Sequence, residues 1–92
     1  MLTRDFEVNG GKVSVLQKLE LGHAGTVWDG ALVLLAYLNK HRLMSQEMLQ
    51  GKVVLELGSG TGIVGLACNL FQAKTVILTD FPENLQLLRD NT

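Results

Sequence analysis

One stretch of the sequence concentrates residues suited to chemistry. Glu56-Leu57-Gly58-Ser59-Gly60-Thr61-Gly62 sets a carboxylate two positions ahead of three alternating glycines, and Asp80 follows 18 residues after Gly62. Glycines in such a run let the backbone take φ values that other residues avoid, and let a ligand lie against the main chain. A carboxylate beside that cradle attracts a cationic group and repels an anionic one. An acid at the end of the following strand can accept hydrogen bonds from both hydroxyls of a ribose. Together these residues describe a site for a nucleoside-bearing ligand, with Glu56, Gly58, Ser59, Gly60 and Asp80 as candidate binding residues.

Two ligand classes fit the spacing. Gly60-x-Gly62-x-x-Gly65 matches a dinucleotide fingerprint, with Asp80 at a suitable distance for the ribose, which would make the chain part of an NAD-type oxidoreductase. Glu56 argues the other way. It would repel a pyrophosphate, whereas it would attract the α-amino group of a methionine moiety. The Glu-x-Gly-x-Gly-x-Gly spacing therefore favours S-adenosyl-L-methionine, with NAD as the alternative. Plainer readings stand beside these. Glu56 could be a solvated strand end, Asp80 the N-cap of the helix that starts near Pro82, and Trp28 the first core residue of its helix. Gly65 reads as the position that lets a helix pack closely on a strand.

The elements that must position these residues follow from periodicity. Val53-Val54-Leu55 is an apolar run of the kind found in buried parallel strands. Ile63 to Phe71 reads as a helix and Thr75 to Thr79 as a second strand. Pro82 suits the first turn of a further helix, whose apolar face would be Leu85 and Leu88. Strand, glycine loop, helix, strand, helix is the opening of a right-handed parallel α/β sheet. Ahead of it, Phe6-Glu7-Val8 and Val13-Ser14-Val15 alternate around Asn9-Gly10-Gly11, as in a hairpin, with the second strand fading near Leu21. Gly22 to Gly25 reads as a loop. Trp28, Ala31, Leu32, Leu35 and Leu38 recur at helical spacing, with Asp29 near the start and Lys40, His41 and Arg42 near the end, which suits the helix dipole. That face reads as core, and Ser45 to Gln50 adds a short helical turn closed by Gly51.

Composition bounds the function. The 92 residues suffice for one small domain. Hydrophobic residues make up 47% and charged residues 18%, as in a globular chain. The net charge is −1 and the basic residues are scattered, so neither a nucleic-acid groove nor an anionic membrane surface is indicated. The longest uncharged apolar stretch, Gly30 to Leu38, is shorter than the roughly 20 residues that span a bilayer. Met1 to Gly10 is polar and of mixed charge, unlike a signal peptide. Cys68 lies on a helical apolar pattern and reads as core. His23 and His41 are far apart and read as surface, and no metal-ligand spacing occurs. A soluble protein of the cytoplasm, extending to the nucleus, is expected.

A wider pattern carries a resemblance. Val27-Trp28-Asp29-Gly30-Ala31, followed by Val33-Leu34 and Tyr37-Leu38, resembles the Val-Trp-Asp-Ala-Ala block of the seven-strand (class I) protein-lysine methyltransferases. That group includes the enzymes that modify Hsp70-type chaperones and valosin-containing protein. Val54-Leu55-Glu56-Leu57-Gly58-Ser59-Gly60-Thr61-Gly62 is similar to its cofactor motif, and Val64-Gly65-Leu66, Thr79-Asp80, Leu87-Leu88 and Asn91 also fit. The likeness covers Gly25 to Thr92. It implies a Rossmann-like α/β fold, with residues 1–24 as an N-terminal hairpin extension and 25–92 as the N-terminal half of a methyltransferase domain. It implies that S-adenosyl-L-methionine is the cofactor and that a lysine of a protein is the substrate, with a chaperone or AAA-type ATPase as partner. By the same likeness Trp28 lines the cofactor pocket and Gly58, Ser59 and Gly60 contact the methionine and ribose parts. Asp80 then binds the ribose hydroxyls, and Glu56 lies near the amino group through water. Gly30 departs from the family, which has Ala there. No residue is an evident base and the family's later Asp-x-x-Tyr motif does not occur, so no catalytic residue is assigned. The expectation is a fragment or truncated isoform, inactive alone, or a non-catalytic binding remnant. One edge of Val53-Val54-Leu55 is expected to be bare and to drive self-association.

Overall fold

The computed structural model describes residues 2–92, arranged as a β-hairpin, two helices and a β-α-β-α unit. In the hairpin, β1 (Leu2–Val8) pairs antiparallel with β2 (Gly11–Gln17), from Val8↔Gly11 at the turn to Leu2↔Gln17 at the open end. Asn9 and Gly10 form the turn with φ of 50° and 79°, the positive pair whose twist matches the flanking strands. Alternation works as read: Val8, Val13 and Val15 are buried, whereas Glu7, Lys12 and Ser14 are exposed. The second strand ends at Gln17, short of Leu21. Leu19–Gly25 winds instead into 3₁₀ turns broken at Gly22, closed by Lys18 N–H donating to the Gly25 carbonyl at 2.9 Å. A Cβ on Gly25 would collide with the Lys18 carbonyl oxygen, so the close approach requires glycine there.

Two helices follow, α1 (Asp29–Lys40) and α2 (Arg42–Leu49). α1 buries Leu35 and Leu38 and leaves Val33, Leu34 and Tyr37 exposed. The turn between the helices is held by buried Ser45, whose hydroxyl donates to the Leu38 carbonyl at 3.0 Å.

The parallel unit comprises β3 (Val53–Glu56), α3 (Ile63–Leu70), β4 (Thr75–Leu78), a 3₁₀ turn at Pro82–Asn84 and α4 (Leu85–Asn91). β3 and β4 run parallel in register from Val53↔Thr75 to Glu56↔Leu78. They form a two-stranded sheet separate from the hairpin. α3 crosses this sheet at Gly65, where a Cβ would stand 3.1 Å from Val76 and collide with Leu78, so the residue serves close packing as its position suggested. Pro82 does open the last helical segment. α4 buries Leu87 and Leu88 in place of Leu85 and Leu88, because the 3₁₀ turn, with three residues per turn, changes the phase at which the α-helix begins.

One core joins the layers. Val8, Val13 and Val15 of the hairpin pack with Leu35 and Leu38 of α1 and with Ile63, Ala67 and Phe71. Cys68 is buried beside them, and burial, with the Glu56 charge second, raises its thiol pKa, which leaves it inert. Asn9 ties the hairpin turn to three helices. Its N–H donates to Asn39 Oδ1 at 3.0 Å, and its amide nitrogen donates to Gln46 Oε1 at 3.1 Å and to the Leu70 carbonyl at 2.7 Å. Among the described residues no helix is long and apolar enough to cross a membrane, and no group of three His, Cys, Asp or Glu side chains is placed to hold a metal.

Candidate cofactor-binding site

The glycine loop leaves β3 at Glu56 and enters α3 at Gly62. Gly58, Gly60 and Gly62 all adopt positive φ, at 64°, 59° and 88°, a run of left-handed residues that only glycine takes without strain. Beside Gly58 a Cβ would meet nothing within 4 Å, so the main chain there faces open space. The loop is stitched to the end of β4. Ser59 N–H donates to the Thr79 carbonyl at 2.7 Å, and Thr79 N–H donates to Ser59 Oγ at 3.1 Å. The Thr79 hydroxyl donates to the Glu56 carbonyl at 2.8 Å. Ser59 is itself buried, so its hydroxyl acts first as a seam between the two strand ends.

Asp80 grips the same loop. Its Oδ2 accepts from Gly60 N–H at 2.7 Å and from Asn84 Nδ2 at 3.1 Å, and Oδ1 accepts from Phe81 N–H at 2.7 Å. Asn84 closes the ring by donating to the Gly60 carbonyl at 2.6 Å. This is not ordinary helix capping: the 3₁₀ turn begins after Phe81, and no side chain caps it. Asn84 is fully buried, and no motif in the sequence marks it. Its placement four residues after Asp80, across Pro82, is the only signal that points to it.

Trp28 does not behave as a core residue. It precedes the first turn of α1 in extended conformation and is 55% exposed. Its indole N–H donates to the His23 carbonyl at 2.6 Å, and the ring lies 5.0 Å from that of His23. Trp28, Glu56, Gly58, Ser59 and Gly60 line one cleft of about 350 Å³, walled on the α1 side by Ala31 and Leu34. Asp80 lines a shallower cleft with Leu57, Thr79 and Phe81, and Gly58 borders both. Five of the six residues read from the sequence thus share one cleft, and the sixth meets them across Gly58. A cleft of about 390 Å³ between α3, β4 and α4 is lined by Gly65, Leu66, Val76 and Leu88 among others and brings together none of these residues.

Glu56 dominates the electrostatics. Its side chain turns under α3, and Oε1 is buried without a hydrogen-bond partner among the described residues. Burial raises its pKa above the ordinary carboxylate value; Ser59 and the Gly65 amide pull the other way, and the Asp80 charge adds to the rise. A carboxylate in that state gains from any cationic donor that reaches it, so Glu56 is no solvated strand end.

The sequence is similar to known proteins over most of its length. The profile of a family described as lysine methyltransferase matches residues 8–92. The chain is 40% identical over 84 residues to EEF1A lysine methyltransferase 3 of Mus musculus, covering 89% of this chain and 34% of that protein. It is 43% identical over 72 residues to protein N-lysine methyltransferase METTL21A of Xenopus tropicalis, covering 78% of this chain and 31% of that one. Against protein N-terminal and lysine N-methyltransferase EFM7 of Candida albicans it is 40% identical over 57 residues, or 62% of this chain and 21% of that protein. The chain spans about a third, or less, of the length of these curated relatives. The match begins within the hairpin and runs to the last residue, taking in the Trp28 segment, the glycine loop and Asp80, and on that extent the chain belongs to the lysine methyltransferase family.

Proposed function

We propose that this chain supplies the cofactor-binding part of an S-adenosyl-L-methionine-dependent protein-lysine methyltransferase. The observation that carries the reading is the buried, unpartnered Glu56 Oε1 beside a glycine loop whose backbone faces open space at Gly58. A ligand with an ammonium group at one end and a ribose at the other suits this pair of clefts. Glu56 favours the ammonium, through water or directly; Gly58, Ser59 and Gly60 follow the ligand between its ends; Asp80 accepts the ribose hydroxyls; Trp28 lines the wall. A dinucleotide suits it less. Its pyrophosphate belongs on a helix N-terminus, and here Thr61, Gly62 and Ile63 at the start of α3 are buried, with Glu56 close by.

When bound, S-adenosyl-L-methionine supplies a methyl group activated by its sulfonium. The chain's own residues bind and orient, and alignment of reacting groups is the main source of rate in such a transfer. No residue here is placed to accept the lysine proton, so we assign no catalytic residue and expect the 92-residue chain alone to transfer no methyl group. We further propose that residues 1–24 extend the methyltransferase unit of 25–92 and that the protein works in the cytoplasm and nucleus. Its substrate is a lysine of another protein. EEF1A is the first to assay, since a relative is named for it, with chaperones and AAA-type ATPases next.

Calorimetric titration with S-adenosylhomocysteine and with NAD tests the reading. The former is expected to bind and the latter not. Gly60→Val, which puts a branched side chain at a left-handed position on the cleft, should abolish binding while circular dichroism stays unchanged. Binding of NAD alone would overturn the proposal.

A further inference from the structure

The hairpin reaches both walls of the cofactor cleft from two consecutive residues of β2, directly through Gln17 and by way of Asn91 through Leu16. Gln17, buried at the end of the strand, accepts the Val27 N–H with its Oε1 at 2.9 Å. Val27 and Trp28 form the irregular segment that enters α1, and Trp28, the residue preceding that helix, receives no side-chain cap. Gln17 therefore holds the backbone of the α1 wall one residue before Trp28, whose indole N–H is held separately by the His23 carbonyl. Leu16, the preceding residue, presents its backbone N–H and C=O on the edge of β2 that β1 leaves open. Asn91, the last residue of α4, covers that edge with its side-chain amide. Oδ1 accepts from Leu16 N–H at 2.7 Å, and Nδ2 donates to the Leu16 carbonyl at 3.1 Å. The same Nδ2 donates to the Thr61 carbonyl of the glycine loop at 2.9 Å. An amide so placed acts as a one-residue strand that also holds the opposite wall.

The other end of the hairpin is anchored as well, since Asn9 binds groups on α1, α2 and the end of α3. A two-stranded ribbon held at both ends moves as a unit, so what it grips at its open end is held in fixed relation. We propose that the hairpin is a brace that sets the width of the cofactor cleft, and that Gln17 and Asn91 are its positioning residues, one for each wall. Neither lines the cleft. Each acts through a residue that does, Gln17 through Val27 and Trp28 and Asn91 through Thr61. The proposal rests on the cofactor reading for its consequence but not for its geometry.

The test uses the 92-residue chain and three readouts: amide hydrogen exchange, acrylamide quenching of Trp28, which is the only tryptophan, and affinity for S-adenosylhomocysteine. Gln17→Met keeps the side chain's length and removes the acceptor. It should speed exchange at Val27 by about tenfold, the scale of one lost hydrogen bond, and make Trp28 easier to quench, with Ala67 in the core unchanged. Gln17→Glu, which keeps an acceptor oxygen, should restore Val27 protection. Asn91→Leu should speed exchange at Leu16 and leave Val27 slow. Gln17→Met and Asn91→Leu should each weaken S-adenosylhomocysteine binding by about tenfold. If either single variant unfolds, as fast exchange at Ala67 would reveal, Gln17→Glu decides: wild-type protection at Val27 supports the brace, and exchange as fast as in Gln17→Met overturns it. Unchanged exchange and quenching in Gln17→Met also overturn it, as does full affinity with released walls. Failure of the unaltered chain to bind S-adenosylhomocysteine would instead strike the cofactor reading, with the brace still judged by exchange and quenching.

Discussion

The β3–β4 ribbon has two faces made of similar residues with opposite fates. On one, Val54, Glu56, Val76 and Leu78 lie beneath α3 and are at least half covered. On the other, Val53, Leu55, Leu57 and Ile77 are 63%, 60%, 78% and 46% exposed. Parallel strands are ordinarily buried on both faces, and nothing in the alternation of these strands marks which side a helix will cover. Coverage comes from the crossover. α3 can lie on only one side, Gly65 sets how closely it lies, and Glu56, on that side, is the residue whose ionisation it alters. The open face contributes apolar area and no chemistry.

The contrast can be broken most forcefully from the covered side. Phe71 follows α3 and has no exposed surface, so Phe71→Ala should cost about 3–5 kcal/mol of unfolding free energy. Urea denaturation measures it, and a cost below about 1 kcal/mol would move the core elsewhere. Gly65→Ala forces a methyl into Leu78 and should cost about 1–3 kcal/mol by the same measurement. A neutral result would mean that α3 stands further from the sheet.

A smaller effect is expected from the charge. Burial raises the Glu56 pKa above its value in the unfolded chain, so the folded state holds the proton more tightly. Stability should therefore fall as pH rises from the ordinary carboxylate value through the raised one, then level off. Glu56→Gln cannot ionise and should show no such fall, ending more stable than wild type at neutral pH while binding S-adenosylhomocysteine less well. Superimposable pH profiles would place Glu56 in solvent. Least affected should be the open face: Leu55→Thr is expected to change stability by less than about 0.5 kcal/mol while reducing self-association in sedimentation. A cost like that of Phe71→Ala would show Leu55 to be covered in solution.

Local signals were legible in the sequence and remote ones were not. The hairpin turn was readable because Asn9-Gly10 states its φ values in two adjacent residues. The glycine loop was readable because strand, loop and helix follow one another without interruption. Four of the five candidate residues that share a cleft, Glu56, Gly58, Ser59 and Gly60, do so for the same reason. Trp28 was ambiguous because helical phase says nothing of a residue just outside the helix, where the extended backbone turns the indole toward the cleft. Gln17, Asn84 and the side chain of Asn9 were silent, since an amide side chain has no preferred environment and its role depends on which distant carbonyl or N–H the fold brings near. β3 pairs only with β4 among the described residues. Its exposed face was not legible, since an apolar run reads alike on both sides.

The bond from Leu16 to Asn91 spans 75 residues, nearly the whole chain. On a ribosome, β2 is made 75 residues before the group that satisfies its outer edge. At about 5–20 residues per second the edge waits roughly 4–15 seconds, far longer than the microseconds in which a hairpin closes. The nascent hairpin thus spends those seconds as a finished ribbon with one open side. Mixed charges along it, such as Lys12 paired with Asp5 at 3.4 Å, are the kind of surface that discourages a second ribbon from docking there during the wait.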